Sequence, residues 1–314
     1  MGEGSGVGVS ENRMTDSIRQ FFANRKLRDY ATGYAFVIPA LLMYVIFVVY
    51  PFFYTIYLSL TKWDGAKPVK QFVGFLNYER LFADPRVWSA LSHNLIWIVL
   101  GTVTPVAIGL FLGVLLWRGV RGMVFFRTVY FLPVVLAPVA VGIIWKWMYN
   151  PQFGPINSTL RAVGLDVLAK GWLGDPYLAL PAIILAGVWG YFGFCFVVIM
   201  AGLQNIDMEQ IDAALVDGAN GPQRLWYIVI PGLRHVLTMI TAFTLILGVN
   251  VFDIVWITTR GGPGRATHVI ATYTYNTAFR ESYVGYGSAL AIVMGLVSLV
   301  LSFIFISIRE RGGD

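Results

Sequence analysis

Six long stretches of this chain contain almost no charged residue, and they constrain its fold more than any other feature. The five stretches without any Asp, Glu, Lys or Arg are residues 31–61, 87–117, 128–145, 176–206 and 282–308. A sixth, residues 235–259, contains only Asp253. Each is close to or above the roughly 20 residues with which a helix crosses a bilayer. Since 57% of the residues are hydrophobic and only 13% charged, we predict an all-α integral membrane protein with six transmembrane helices.

The same stretches divide the chain into a tail over residues 1–29 and one transmembrane domain over residues 30–310. The first stretch is too long for a signal-peptide core and lacks a small-residue cleavage site after it, so we expect it to be retained. Six spans place both termini on one side, and Arg25, Lys26 and Arg28 favour the cytoplasmic side. Residues 16–30 mix basic and aromatic side chains, which fits either a short helix on the membrane surface or a plain polar tail.

The distribution of charged residues and the cysteine count limit which ligands and partners the chain is expected to bind. The net charge is +6, but the 23 Lys and Arg residues are spread along the chain. They are therefore interpreted as charges that flank the membrane and contact lipid rather than nucleic acid. Cys195 is the single cysteine, which excludes an intrachain disulfide and argues against a thiolate metal site.

A charged segment, residues 205–233, separates the fourth and fifth stretches and predicts two short helices. The first, within MEQIDAALVD, would end at Gly218, where a left-handed conformation is costly for any residue with a Cβ. Pro222 suits the first turn of the second helix, and Pro231 would end it. The segment is either an amphipathic linker that rests on lipid or a docking element that transmits motion to a soluble partner.

The stretch DAALVDGANGPQRLWYIVIP favours docking, because it resembles the EAA loop of binding-protein-dependent ABC-transporter permeases. In that loop an acidic residue, two alanines, a glycine and a final proline keep a fixed spacing. The matching residues are Asp212, Ala213, Ala214, Asp217, Gly218, Ala219, Ile228 and Pro231. Asp212 stands where glutamate is usual, which keeps the charge on a shorter arm. Leu225 stands where phenylalanine is common, which weakens the aromatic contact that the family would imply.

A second resemblance narrows the family. TTRGGPGRATHVIATYTYNTAF and YGSALAIVM, together with NPQFGPIN and GLQNI, are similar to the carbohydrate-uptake branch. Within it they resemble the first permease subunit of maltose and glycerol-phosphate systems. The likeness extends over residues 30–310.

These resemblances imply a permease subunit of an ATP-binding-cassette importer for a sugar or sugar-like solute, in the cytoplasmic membrane of a prokaryote. The subunit would perform no covalent chemistry and bind no cofactor. Its implied partners are a second permease subunit in a heterodimer, an extracytoplasmic solute-binding protein, and two ATPase subunits that use ATP and Mg. The ATPases would dock on residues 205–233, which places that segment and both termini in the cytoplasm.

The fourth and fifth spans line the translocation path in the permeases that this chain resembles. Asp253 either lines that path or lies near the outer end of the fifth helix, bonded to backbone around GGP. Asn250, Gly248 and Thr244 continue a polar, small-residue stripe from it. Tyr191 and Phe194, in WGYFGFCF, either offer stacking faces to a sugar or pack against lipid and neighbouring helices.

Two other classes of protein fit less well. An intramembrane enzyme is disfavoured because none of the three histidines opens an HExxH zinc site and no G-x-x-x-x-G-K-[ST] loop is present. An ion-coupled secondary transporter for a small polar solute remains the alternative. It would favour several ionisable groups at the bilayer midplane and an internal repeat, neither of which the sequence displays.

Overall fold

A computed structural model describes residues 29–30, 32–117 and 121–311, without the side chains from residue 308 onward. The predicted tail and its surface helix therefore lie almost wholly outside the described residues. The described residues up to Tyr57 and those from Leu58 onward pack as two units. The first unit contains most of helix α1 (Thr32–Ser59), whose most apolar window has no buried side chain.

Helix α1 passes through Pro51 without ending, because it widens just before the proline. Residues Val45–Val49 form a π-helical turn. A proline inside a helix lacks an N–H and its ring collides with the carbonyl one turn earlier. The wider turn relieves this conflict, as π-bulges commonly do where a helix is disturbed.

The second unit begins with small elements outside the long helices. Strands β1 (Thr61–Lys62) and β2 (Gln71–Phe72) pair antiparallel, with Thr61 opposite Phe72. Helix α2 (Leu76–Ala83) follows. Later short elements are α6 (Pro155–Ala162) and α12 (Ile270–Tyr275), the latter continued by a π-helical turn over Asn276–Arg280. The protein is thus helical apart from one two-residue ladder among the described residues.

Three helices of this unit match predicted spans directly. They are α3 (Pro85–Leu116), α7 (Ala179–Leu203) and α13 (Val284–Arg311). Helix α7 is the centre of the core, since half of its most apolar window is buried. It lies so close to α3 that a Cβ on Gly109 would be 2.7 Å from the backbone nitrogen of Phe196. The small-residue contact allows two backbones to approach in the way membrane helices favour.

The third predicted span, residues 128–145, is not one straight helix. Helix α4 (Met123–Phe131) continues in a 3-10 turn over Leu132–Val135, and α5 (Pro138–Met148) then leaves at 99°. The cause is Pro138: the residue before a proline is driven out of the helical region. Ala137 accordingly has an extended backbone, with φ −60° and ψ 145°.

The predicted fifth span also differs from the structure. Helix α10 (Arg234–Val249) stops ten residues before the apolar stretch does, and α11 (Asp253–Thr258) restarts after a short break. Preceding α10, helices α8 (Met208–Val216) and α9 (Gly221–Gly232) occupy the charged segment, and α9 meets α10 at 72°. In the part of the chain that the structure describes, four helices are long and apolar enough to cross a membrane, or up to six if each bent pair counts as one span.

Candidate functional site

Residues 205–233 form the two short helices that were predicted. Hydrogen bonds between residues close in sequence define where each helix begins or ends. The Asp207 side chain caps α8 by accepting from the Glu209 N–H at 2.9 Å. At the other end the Gly218 N–H donates to the Leu215 carbonyl at 3.1 Å, and the Ala219 N–H donates to the Ala214 carbonyl at 2.8 Å. This pair of bonds is the Schellman motif, which requires a left-handed residue between them. Gly218 has φ +79°, as predicted.

The start of α9 is a reciprocal cap that the sequence reasoning missed. The Asn220 side chain accepts from the Gln223 N–H at 2.9 Å, and the Gln223 side chain accepts from the Asn220 N–H at 2.8 Å. The signal was present as Asn followed three residues later by Gln. Pro222 lies in the first turn, as predicted.

Pro231 does not end the second helix, which corrects the prediction. Helix α9 includes a π-helical turn over Leu225–Val229 and continues to Gly232. As in α1, the wide turn ends two residues before the proline, and it has the same cause. The chain instead turns at Leu233, where α10 begins at its 72° angle.

One side of the segment is anchored in the core and the other is exposed. Ile211, Val229 and Leu233 are buried in one apolar cluster together with side chains of α7 and α10. Leu215, one turn after Ile211 in α8, is 44% exposed. Of the residues predicted to couple to an ATPase, Asp212, Ala213, Asp217, Gly218 and Pro231 are exposed and Ala214 and Ala219 are half-buried.

The predicted solute-path residues converge on a different region, a cavity of about 330 Å³ between α3, α5, α7 and the ends of α10 and α11. Five of the six line it: Tyr191, Thr244, Gly248, Asn250 and Asp253. Its other walls include Trp97 and Gly101 of α3, Gly187 of α7 and Leu136 at the α4–α5 break. The positions of these four residues on the cavity wall were not predicted, because they come together only through packing.

Aromatic rings cover one end of the cavity. Tyr191 lies 5.3 Å from Phe194 and 6.4 Å from Phe243 between ring centroids, the latter pair nearly parallel. Phe194 does not line the cavity; it packs behind Tyr191, which agrees with the packing alternative for that residue. The Tyr191 hydroxyl is buried and has no hydrogen-bond partner in the described chain. A buried polar atom without a partner is costly to stability.

The α10 residues contribute shape more than polarity. The Thr244 hydroxyl donates to the Ile240 carbonyl at 2.9 Å, so the helix itself uses it. Gly248 leaves room at the wall, since a Cβ there would come within 3.4 Å of Ile98 and 3.5 Å of Trp97. The Asn250 amide donates to the Ile246 carbonyl at 2.9 Å, while its side chain stays exposed to the cavity.

Asp253 is exposed on the cavity wall in the first turn of α11. Within the described chain it makes no side-chain hydrogen bond and no ion pair. The backbone around GGP is bonded instead by the Thr267 hydroxyl, which donates to the Gly262 carbonyl at 2.8 Å. Among the described residues, no side-chain hydrogen bond therefore joins Asp253 to the backbone around GGP, and Asp253 lines the cavity.

Asn94 holds the break beside Asp253 and was not found from the sequence. Its side chain is buried, donates to the Val249 carbonyl at 3.1 Å and accepts from the Ile270 N–H at 2.7 Å. It thereby satisfies backbone groups freed where α10 ends. The available signal was an amide within an apolar stretch, because a buried amide must find partners.

A buried polar cluster lies away from the cavity, where α3 begins. Asp84 caps α3, forms a bidentate pair with Arg86 and accepts from the hydroxyls of Tyr273 at 2.8 Å and Tyr286 at 3.2 Å. Burial alone would raise the pKa of Asp84, but the bonds from Arg86 and Tyr273 outweigh it and hold that pKa well below its usual range. Burial, reinforced by Arg265 and His93, lowers the pKa of nearby His268 to about 4. The cluster connects α3 to α12 and α13, and its residues do not line the cavity.

No group of three or more His, Cys, Asp or Glu is placed to hold a metal ion within the described ranges. The cavity presents an aromatic face, an amide and a carboxylate in a mainly apolar lining.

Comparison with known proteins places this geometry in context. The family described as "Binding-protein-dependent transport system inner membrane component" matches residues 105–311. A probable ABC transporter permease protein of Pyrococcus horikoshii is 38% identical over 89% of this chain and 96% of its own length. The lactose transport system permease protein of Rhizobium radiobacter is 35% identical over 89% of this chain and 94% of its own. A chain in the crystal structure of a bacterial ABC transporter involved in the import of the acidic polysaccharide alginate shares the fold. Its TM-score is 0.78 at 22% identity, covering 94% of this chain and 100% of that one.

Proposed function

This chain belongs to the family of inner membrane components of binding-protein-dependent transport systems, and from that premise we propose that it carries a sugar or sugar-like solute into the cell. The observation that carries the proposal is the convergence of Tyr191, Asn250 and Asp253 on one cavity. A ring face, an amide and a carboxylate suit a molecule with apolar C–H faces and many hydroxyl groups. That a relative is a lactose permease supports the same class of solute.

In this proposal α4 with α5 forms the third span and α10 with α11 forms the fifth, which gives six transmembrane helices with both termini in the cytoplasm. A second permease subunit of different sequence completes the path, and an extracytoplasmic solute-binding protein delivers the solute. Two ATPase subunits, which bind ATP and Mg, dock on α8 and α9. The exposed carboxylates of Asp212 in α8 and of Asp217 in the turn after it support such a docking surface.

The packing of the segment suggests how docking would act on the path. Val229 and Leu233 are buried against α7 and α10, and α10 bears Thr244 and Gly248 of the cavity wall. A displacement of α8 and α9 would therefore be carried to the cavity through the body of one helix. The ATPases need only bind one state of the permease more tightly than the other by a few kcal/mol to shift the population.

Purification from the native membrane followed by mass spectrometry tests the assembly. An ATPase and a second multi-span chain should copurify. Asp212→Lys should greatly reduce the recovered ATPase, whereas Asp166→Lys, a charge reversal at an exposed loop residue, should not. Equal recovery with both variants would contradict the docking role.

Uptake by the purified complex in vesicles separates the proposal from its alternative. An ATP-driven importer should lose uptake without ATP and keep it when an ionophore collapses the ion gradients. Uptake that persists without ATP and fails with the ionophore would favour an ion-coupled carrier.

A further inference from the structure

The residues that line the cavity on the proposed path carry negative charge only. Asp253 is the only Asp, Glu, Lys, Arg or His among the residues that line it, all of which belong to the described part of the chain. Lys146 of α5, an element that contributes to the cavity wall, is exposed and donates to the Ile257 carbonyl at 3.4 Å. Lys146 is not part of the lining.

This arrangement treats solutes of different charge unequally. An anion that leaves water loses its hydration, and here it would find no cation to replace it and a carboxylate to repel it. A neutral sugar meets no such barrier. Its hydroxyls can donate to the exposed Asp253 carboxylate in strong charge-assisted bonds.

We propose, on the basis of the function proposed above, that Asp253 is a specificity-determining residue through which this subunit admits uncharged sugars and rejects acidic ones. The structurally similar alginate importer acts on an acidic polysaccharide. At 22% identity that likeness shows the shared fold alone, and the charge of the solute is set by side chains such as Asp253.

Thiol labelling measures this charge selection directly and needs no identified solute. A cysteine is placed at Asn250, which is exposed on the wall three residues from Asp253, in the purified complex; the native Cys195 is fully buried. The rates at which the cysteine introduced by Asn250→Cys reacts with two reagents are then compared. One reagent is a cationic trimethylammonium methanethiosulfonate and the other is an anionic sulfonate methanethiosulfonate. Gln152→Cys, at an exposed turn residue, provides the matched control, and the unmodified chain gives the background.

We expect Asp253→Asn to lower the cation-to-anion rate ratio at Asn250→Cys by about tenfold, as the loss of a nearby unit charge predicts. The same substitution should leave the ratio at Gln152→Cys, a position beside Arg161, unchanged. A ratio that does not respond to Asp253→Asn would overturn the proposal. So would a cysteine at residue 250 that reacts with neither reagent, because no solute in water would then reach Asp253.

Uptake separates this proposal from the proposed function. Vesicles containing the complex are given maltotriose or trigalacturonate, which have the same number of sugar rings and differ in charge. ATP-driven uptake of trigalacturonate by the wild type would reject charge selection while leaving sugar import intact. ATP-independent uptake of maltotriose would reject the proposed function, and the labelling result would still stand as a measurement of the cavity.

Discussion

The 205–233 segment and the cavity are built in opposite ways. Every hydrogen bond that shapes the ends of α8 and α9 joins residues no more than five positions apart. The cavity brings Trp97, Leu136, Gly187 and Gly248 together from four separate elements. A local motif is therefore visible in a short stretch of sequence, whereas a cavity depends on helix packing that no short stretch contains. Substitutions that disturb only one of the two regions test this contrast.

The largest effect is expected at Gly109, where α3 meets α7 beneath the cavity. A Cβ there would lie 2.7 Å from the Phe196 nitrogen and 2.9 Å from the Cys195 carbonyl carbon. Backbone atoms cannot yield as side-chain ends do, so Gly109→Ala should destabilise the protein by about 3 kcal/mol or more. Thermal unfolding in detergent measures the loss. Gly295→Ala, which adds a Cβ with nothing within 4 Å, is the control, and equal melting temperatures would refute the tight contact.

Gly218→Val should uncouple transport without harming the cavity. Nothing lies within 4 Å of a Cβ at this position, so only the left-handed backbone resists the change. A β-branched residue at φ +79° destabilises the left-handed backbone conformation by about 1–2 kcal/mol. The backbone should leave this conformation as a result, which would distort the turn between α8 and α9. ATP-driven uptake should fall about tenfold while membrane insertion and thiol labelling at Asn250→Cys stay normal.

The control for this change is Gly221→Val, at a glycine with equal space and no positive φ. It should retain most of the uptake. If both variants transported like the wild type, the turn would have no part in coupling.

Asn220→Ala should loosen only the start of α9. Removing one member of the reciprocal cap costs about 1 kcal/mol, and amide hydrogen exchange at Gln223 should quicken about fivefold. Gln223→Ala should act similarly, and the double variant should add little because the two groups serve one motif. Additive effects, or equal acceleration in Gln210→Ala at an exposed residue of α8, would show that the cap is not what holds this end.

The smallest effect on stability is expected at Tyr191. Tyr191→Phe removes a buried hydroxyl that has no partner in the described chain, so the melting temperature should stay constant or rise slightly. If a solute satisfies that hydroxyl, the solute concentration for half-maximal uptake should increase about threefold to tenfold. Tyr130→Phe, whose ring packs against Phe196 away from the cavity, should change neither quantity. A clear loss of stability in Tyr191→Phe would mean that the hydroxyl is bonded after all.

The same contrast explains which sequence predictions succeeded. The stretches 87–117, 176–206 and 282–308 are helices, because an uninterrupted apolar stretch of that length has few other ways to satisfy its backbone in a membrane. Gly218 and Pro222 were placed correctly because their backbone preferences act within one turn.

The errors have the reverse cause. The apolar character of residues 128–145 and 235–259 predicted one continuous helix for each stretch. Pro138 breaks the first stretch. In the second, the end of α10 is held by the buried Asn94, more than 150 positions away. Pro231 failed as a stop signal because a π-helical turn accommodates it. Asp253 stays a predicted solute-path residue that lines the cavity, yet the lack of a cation among the lining residues appears only when the lining is assembled.

The close contact at Gly109 has a consequence for how the cavity could open. Helices α3 and α7 meet there backbone to backbone, so neither can roll on the other without forcing main-chain atoms together. The wall they form is a fixed frame. The facing wall is made by Val134, Leu136 and Pro138 at one helix break and by Asn250, Phe252 and Asp253 at another. Breaks of this kind absorb backbone rotation at few residues. We therefore expect this wall to move when the cavity opens, and Asp253 to move with it.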